Sequence, residues 1–208
     1  MLHIRLSVGK GATNCYIVAD SETREAALID PGGNARGIRE KLRENGLSLK
    51  YIFVTHGHFD HILALPELAA DGATVVIHEA DVACLIERRE SLAIYASEAQ
   101  IPRAADVHAH DGDEFKVGKL SFKFMHTPGH SRGSCIIICG DRIYSGDTLF
   151  KCECGRCDLP GGDYGQMLKS LKRIYELDGD FLVFPGHGAE STLEFERAFN
   201  PYMQKAAK

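Results

Sequence analysis

The sequence predicts a mixed α/β domain, and three observations carry that prediction. Short apolar runs stopped by Gly, Pro or Asn alternate with stretches of helical period. Between Leu120 and Tyr144 three such runs follow one another with no helix between them, more adjacent strands than a doubly wound fold needs. An apolar run also ends three times in a glycine beside a histidine: Phe53 to His58, Phe124 to His130, and Phe181 to His187. Glycine lets the backbone turn sharply as it leaves a sheet, so the recurrence can bring imidazoles from three strand ends to one cleft.

In chain order, Asn14 to Ala19 and Ala26 to Asp30 are short apolar runs, the second stopped by Pro31-Gly32-Gly33. Asn34 is a candidate cap for a helix running to Glu44 and closed by Asn45-Gly46. Tyr51 to Val54 reads as a buried strand. His61 to Ala70 reads as a helix, with Leu63, Leu65 and Leu68 available for packing. Thr74 to Ile77 is a strand and Asp81 to Glu90 a helix, whereas Ser91 to Pro102 carries no clear period. Leu120 to Met125, Cys135 to Cys139 and Arg142 to Tyr144 are successive strands. Tyr164 to Tyr175 has helical spacing, with Leu168, Leu171 and Ile174 on one side. Phe181 to Phe184 is a last strand and Glu190 to Phe199 a last helix. No linker, low-complexity run or charge block divides the chain, so residues 1–208 are expected to form a single domain, long enough to bury a substantial core.

Hydrophobic content of 44% and charged content of 25% are ordinary for a soluble globular protein. The formal charge of −5 argues against a nucleic-acid backbone as partner, because phosphate binding wants a basic face. Met1 to Lys10 lacks the apolar run of a signal peptide, and no segment is apolar enough to span a membrane. Seven cysteines without a signal peptide read as reduced thiols, which points to the cytoplasm.

Seven side chains stand out as candidate metal ligands. Four lie in one hexapeptide, His56-Gly57-His58-Phe59-Asp60-His61; the others are His130, Asp147 and His187. Imidazole and carboxylate together suit zinc, iron or manganese. Seven donors are too many for one ion and suit two ions that share a carboxylate, an arrangement that activates water for hydrolysis. A purely structural zinc site would favour four closed ligands, often thiolates. His3, His78, His108 and His110 have no ligand-type neighbours and read as ordinary surface or core histidines. His126, just before a ligand loop, is a candidate for supporting that loop or for packing.

The order and spacing of these ligand blocks resemble the metallo-β-lactamase superfamily, over about Asn14 to Pro201. Within it the chain is most similar to the small glyoxalase-II-like (hydroxyacylglutathione hydrolase-like) enzymes, through Gly155-Arg156-Cys157-Asp158, Pro185-Gly186-His187-Gly188 and, more loosely, Ser191 to Arg197. The resemblance implies an αββα sandwich, two facing mixed sheets with helices outside and the site at one edge. It assigns His56, His58 and His130 to one metal, Asp60, His61 and His187 to the other, and Asp147 to both. It implies two divalent ions, zinc first and iron or manganese next. It also implies a thioester substrate cleaved by a hydroxide held between the ions, with Asp60 accepting a hydrogen bond from it. The acyl carrier would be glutathione or another thiol.

Aspartate at 147, where the best-known zinc β-lactamases carry cysteine, argues against β-lactams as the main substrate. Only 21 residues follow His187, too few for the helical region that supplies basic residues to glutathione in typical glyoxalase II. Arg156 matches a basic position that contacts the glutathione moiety, and equally suits an ion pair with Asp158 that shapes its loop. Cys152, Cys154 and Cys157 form a C-x-C-x₂-C run without an evident fourth ligand and read as reduced thiols rather than an extra metal site. The alternative function within the same resemblance is a mono-iron persulfide dioxygenase using His58, His130 and Asp147; a lactonase or phosphodiesterase is the nearest hydrolytic rival.

Overall fold

A computed structural model describes residues 1–97 and 99–208. Two six-stranded mixed sheets face each other. The first is built in chain order from β1 (Leu2–Val8), β2 (Thr13–Ala19), β3 (Glu25–Ile29), β4 (Ser48–Val54), β5 (Thr74–His78) and β6 (Val107–Ala109). β1 to β3 pair antiparallel, and β3 to β6 pair parallel. The second sheet draws on β7 (Glu114–Val117), β8 (Leu120–His126), β9 (Cys135–Cys139) and β10 (Arg142–Gly146). It is completed by β13 (Leu182–Pro185) and β14 (Ser191–Thr192), in the order β14-β13-β10-β9-β8-β7. β11 (Leu149–Phe150) and β12 (Glu153–Cys154) form a separate hairpin.

The apolar runs are continuous because both sheets are buried on both faces. Tyr16, Val18, Ala27, Ile29, Phe53 and Val76 point between the sheets and meet Phe122, Phe124, Ile137, Tyr144 and Phe184. Their neighbours Ile17, Leu28, Ile52, Val75 and Ile77 point outward, where they are covered by α1 (Ala35–Glu44) and α3 (Leu65–Ala69) through Ile38, Leu42, Leu65 and Leu68. Met125, Ile136, Ile143 and Val183 on the outer face of the second sheet pack on α4 (Tyr164–Tyr175) and α6 (Pro201–Ala206), through Met167, Leu171, Ile174 and Met203. The layers are therefore α, β, β, α, as the resemblance implies.

Asn34 caps α1, its Oδ1 accepting from Gly37 N at 3.2 Å, and Asp163 caps α4 in the same way from Gln166 N at 2.9 Å. Three sequence expectations change. The helix expected over His61 to Ala70 is two short pieces, α2 (Phe59–Ile62) and α3, because Pro66 sits in the first turn of the second. The segment expected as a helix from Asp81 to Glu90 is a 3₁₀ turn at Glu79–Leu85, ending where the chain enters turns. The helix expected from Glu190 begins after the short β14, as α5 (Leu193–Phe199), and Asn200 caps the further α6. The aperiodic stretch 91–102 carries a 3₁₀ turn at Ala93–Tyr95, with residue 98 outside the described residues. Among the described residues no helix is long and apolar enough to cross a membrane.

Candidate metal centre

Five strand ends meet at one rim between the sheets. β3 leads into Asp30; β4 runs into Thr55 and the hexapeptide; β8, β10 and β13 lead to His130, Asp147 and His187. Hydrogen bonds between the sheets hold the rim closed. Cys135 N donates to Thr55 O at 2.8 Å. Asn14 N donates to Gly186 O at 2.7 Å, and its side-chain amide donates to Pro185 O and Gly188 O at 3.0 and 3.1 Å. The Tyr16 hydroxyl donates to Pro185 O at 2.6 Å. Gly186 passes so close to the site that a Cβ there would lie 2.3 Å from Asp147 Oδ1 and 2.7 Å from His61 Cε1, so only glycine fits.

All seven side chains singled out from the sequence meet here. His56, His58 and His130 place ligand atoms within 4.8 Å of one another; so do Asp60, His61 and His187, and so do His56, His61 and Asp147. His58 Nδ1 lies 2.9 Å from His130 Nε2. His187 Nε2 lies 3.2 Å from Asp60 Oδ2 and 3.3 Å from His61 Nε2. Asp147 spans the groups. Its Oδ1 is 3.4 Å from His61 Nε2, and its Oδ2 is 3.5 Å from His130 Nε2 and 3.7 Å from His187 Nε2.

The donor set fits divalent cations on its own geometry. Among the described residues His56 Nε2 and Asp147 Oδ1 are buried with no hydrogen-bond partner, which is costly unless something else binds them. Burial first, then the neighbouring histidines, pushes His56 well below the usual imidazole range and His58 down to about 3. Both rings are therefore neutral and offer lone pairs. For Asp60, burial opposes the charge, but His61 and His187 outweigh it and hold the carboxyl well below its ordinary value. For His61, burial likewise opposes the charge, and Asp147, Asp60 and Asp30 outweigh it, pushing the ring up to about 10. A cation entering the Asp60, His61 and His187 group must therefore displace a proton from His61.

Outer partners fix which nitrogen faces inward. Asp30, a buried residue with φ of 52°, accepts from Thr55 N at 2.8 Å and from Thr55 Oγ1 at 2.6 Å, and lies 3.0 Å from His61 Nδ1. His130 Nδ1 donates to Arg156 O at 2.8 Å. Sequence reasoning missed both contacts. Asp30 was legible only as the end of an apolar run, and a backbone carbonyl leaves no signal in residue type. The Arg156 guanidinium is paired with Asp158 in two bonds of 2.7 and 2.8 Å, with both side chains exposed.

The remaining histidines lie outside the donor groups. His126 stacks on His78 with ring centroids 3.9 Å apart and donates from Nε2 to Arg132 O at 2.8 Å, bracing the 127–134 loop. His3 packs on Phe184 and Tyr16; burial, then Arg142 and Arg5, pushes it down to about 4. All seven cysteines are free, and among the described residues no thiol joins a metal-donor group. Burial, with Cys157 nearby, pushes the Cys154 thiol up to about 12, so it is protonated at neutral pH. An open cavity of about 300 Å³ lies beside His187, lined by Phe150, Lys151, Glu153, Gly188 and Ala189.

Comparison with known proteins agrees with this architecture. The family profile described as the metallo-beta-lactamase superfamily matches residues 8–187. The hydroxyacylglutathione hydrolase GloC of Haemophilus influenzae is 30% identical over 198 residues, covering 91% of this chain and 92% of that protein. The mitochondrial persulfide dioxygenase ETHE1 of Mus musculus is 32% identical over 200 residues, covering 92% of this chain and 72% of that one. The crystal structure of BLEG-1 B3 metallo-beta-lactamase superposes with a TM-score of 0.91 at 30% identity, covering 97% of this chain and 99% of that one. With a His and Asp metal-binding site at the rim of an αββα sandwich, the chain belongs to the metallo-beta-lactamase superfamily.

Proposed function

We propose that the protein is a binuclear metal-dependent hydrolase that cleaves a small thioester in the manner of glyoxalase II. The observation that carries this reading is Asp147, whose two oxygens reach His61 on one side and His130 on the other. That position suits a carboxylate shared by two ions, with zinc best matched to the imidazole-rich donors and iron or manganese next. His56, His58 and His130 would hold one ion and Asp60, His61 and His187 the other. When bound, the ions supply an activated water and polarise the carbonyl under attack. Asp60, held ionised by His61 and His187, would accept a hydrogen bond from the nucleophile. The similarity to GloC supports a hydroxyacylglutathione-type thioester. Seven free thiols suit a reducing compartment, and a cytoplasmic location is part of the same reading.

The second reading, a persulfide dioxygenase using His58, His130 and Asp147 for one iron, is favoured by the similarity to ETHE1. A panel of thioester, lactone, phosphodiester, β-lactam and persulfide substrates separates the readings. The proposal expects thioester turnover highest, and persulfide consumption with oxygen uptake overturns it.

Arg156 belongs to the proposal as the receiver of a substrate carboxylate. Its partner Asp158 is exposed, and an exposed ion pair contributes little, so a substrate can take Asp158's place at little cost. A charge-assisted hydrogen bond contributes about 1.5–3 kcal/mol. Arg156→Ala is therefore expected to lower kcat/KM for carboxylated thioesters such as S-lactoylglutathione roughly tenfold to a hundredfold, with uncharged thioesters little affected. Equal losses on both substrates, with a lower melting temperature, assign Arg156 to loop shaping alone.

A further inference from the structure

One buried carboxylate outside the seven donors joins the two loops that carry His56, His58 and His130. Asp81 lies in the 3₁₀ turn after β5 and is 2% exposed. Its Oδ2 accepts from Gly57 N at 3.0 Å and from Ser131 Oγ at 2.7 Å, and its Oδ1 accepts from Gly133 N at 2.7 Å. Gly57 stands between His56 and His58, and Ser131 directly follows His130. Ser131 Oγ also lies 2.7 Å from Ser134 Oγ, which accepts from Ser131 N at 3.0 Å. The loop comes so close that a Cβ on Gly133 would lie 2.7 Å from Asp81 Cβ, Cγ and N.

The geometry points to Asp81 as a positioning residue that sets the spacing of His58 and His130, and so the affinity of the His56, His58 and His130 group for a divalent cation. The Asp60, His61 and His187 group is held by other contacts: Asp30 on His61, and Asn14 and Tyr16 on the backbone around His187. Its direct anchoring contacts are therefore separate from Asp81. Both Asp81 oxygens accept from backbone N–H groups, which cannot reverse their polarity. An asparagine has one acceptor oxygen, so in Asp81→Asn one of the two loops must meet an NH₂ group and detach.

This inference rests on the two-group reading above, and the experiment separates the two. Zinc binding to each donor group is measured by competition titration, with anomalous diffraction at partial loading to assign the groups, and the melting temperature is measured on metal-free protein. Asp81→Asn is expected to weaken zinc at the His56, His58 and His130 group about tenfold to a hundredfold, the usual effect of losing an outer partner. The other group should keep wild-type affinity. Ser131→Ala, which leaves Asp81 both backbone donors, should weaken the same group roughly fivefold. It decides the matter should Asp81→Asn fail to fold. Unchanged affinities, or equal weakening of both groups with a lower metal-free melting temperature, overturn the role of Asp81. A wild-type protein that binds a single zinc overturns the two-ion reading instead. Zinc at the His56, His58 and His130 group then still tests Asp81.

Discussion

Asp147→Ala should strip metal from both donor groups and reduce hydrolysis by at least about a thousandfold, since the stabilisation that metal ions give a developing oxyanion is worth several kcal/mol. The reason is positional. Its carboxylate reaches both sides with two oxygens, Oδ1 3.4 Å from His61 Nε2 and Oδ2 3.5 Å from His130 Nε2. Asp147→Cys keeps one donor but has one sulfur in place of two oxygens, so it should retain one ion and still be crippled. Elemental analysis after gel filtration, alongside kcat/KM for a thioester, checks both variants. Full metal occupancy and turnover in the alanine variant would sink the bridging role.

The second large effect is expected at Asp30, through the tautomer of His61. An asparagine tolerates the left-handed φ of 52° as well as aspartate does, so backbone strain does not enter. Its carbonyl can still accept from Thr55 N, and its amide then faces Thr55 Oγ1 and His61 Nδ1. Donating to His61 Nδ1, the amide pushes the ring proton onto Nε2, the nitrogen that faces Asp147 and His187. Asp30→Asn should therefore weaken metal at the Asp60, His61 and His187 group by about tenfold to a hundredfold, leaving the other group near wild type. Asp30→Ala adds a stability loss of roughly 1–3 kcal/mol for each buried donor left unpaired. Calorimetric zinc titration and urea denaturation read the two effects separately. Wild-type zinc affinity at the Asp60, His61 and His187 group in Asp30→Asn would remove the tautomer argument.

The candidate ligands were legible because metal chemistry restricts residue type: only a few side chains can donate, and four fell in one hexapeptide. Their supports were not. Asp30, Asp81 and Thr55 are common residues whose role depends on which loop they face, and that is set by the pairing of β3 with β4 and β4 with β5. Arg156 illustrates the same limit. Its charge drew attention, yet the contact it makes with the centre is through its carbonyl, on His130 Nδ1.

In the fold, strands with unbroken apolar runs were visible. β1, whose burial alternates as Leu2, Ile4 and Leu6 pack on the first core, and the short β6 and β7 were not. Edge strands owe their existence to a neighbour's hydrogen bonds more than to their own composition. The helix expected from Asp81 became a tight turn because Asp81 is drawn inward onto Gly57 and Gly133.

The central claim, a hydrolase with two metal ions, is tested most directly by counting metal in the purified protein while assaying thioester hydrolysis without oxygen. The account predicts close to two divalent ions per chain and full hydrolysis under argon. Chelation should abolish that activity, and added zinc should restore it. A single firmly held iron, with turnover of a persulfide that stops when oxygen is removed and no thioester cleavage, would contradict it.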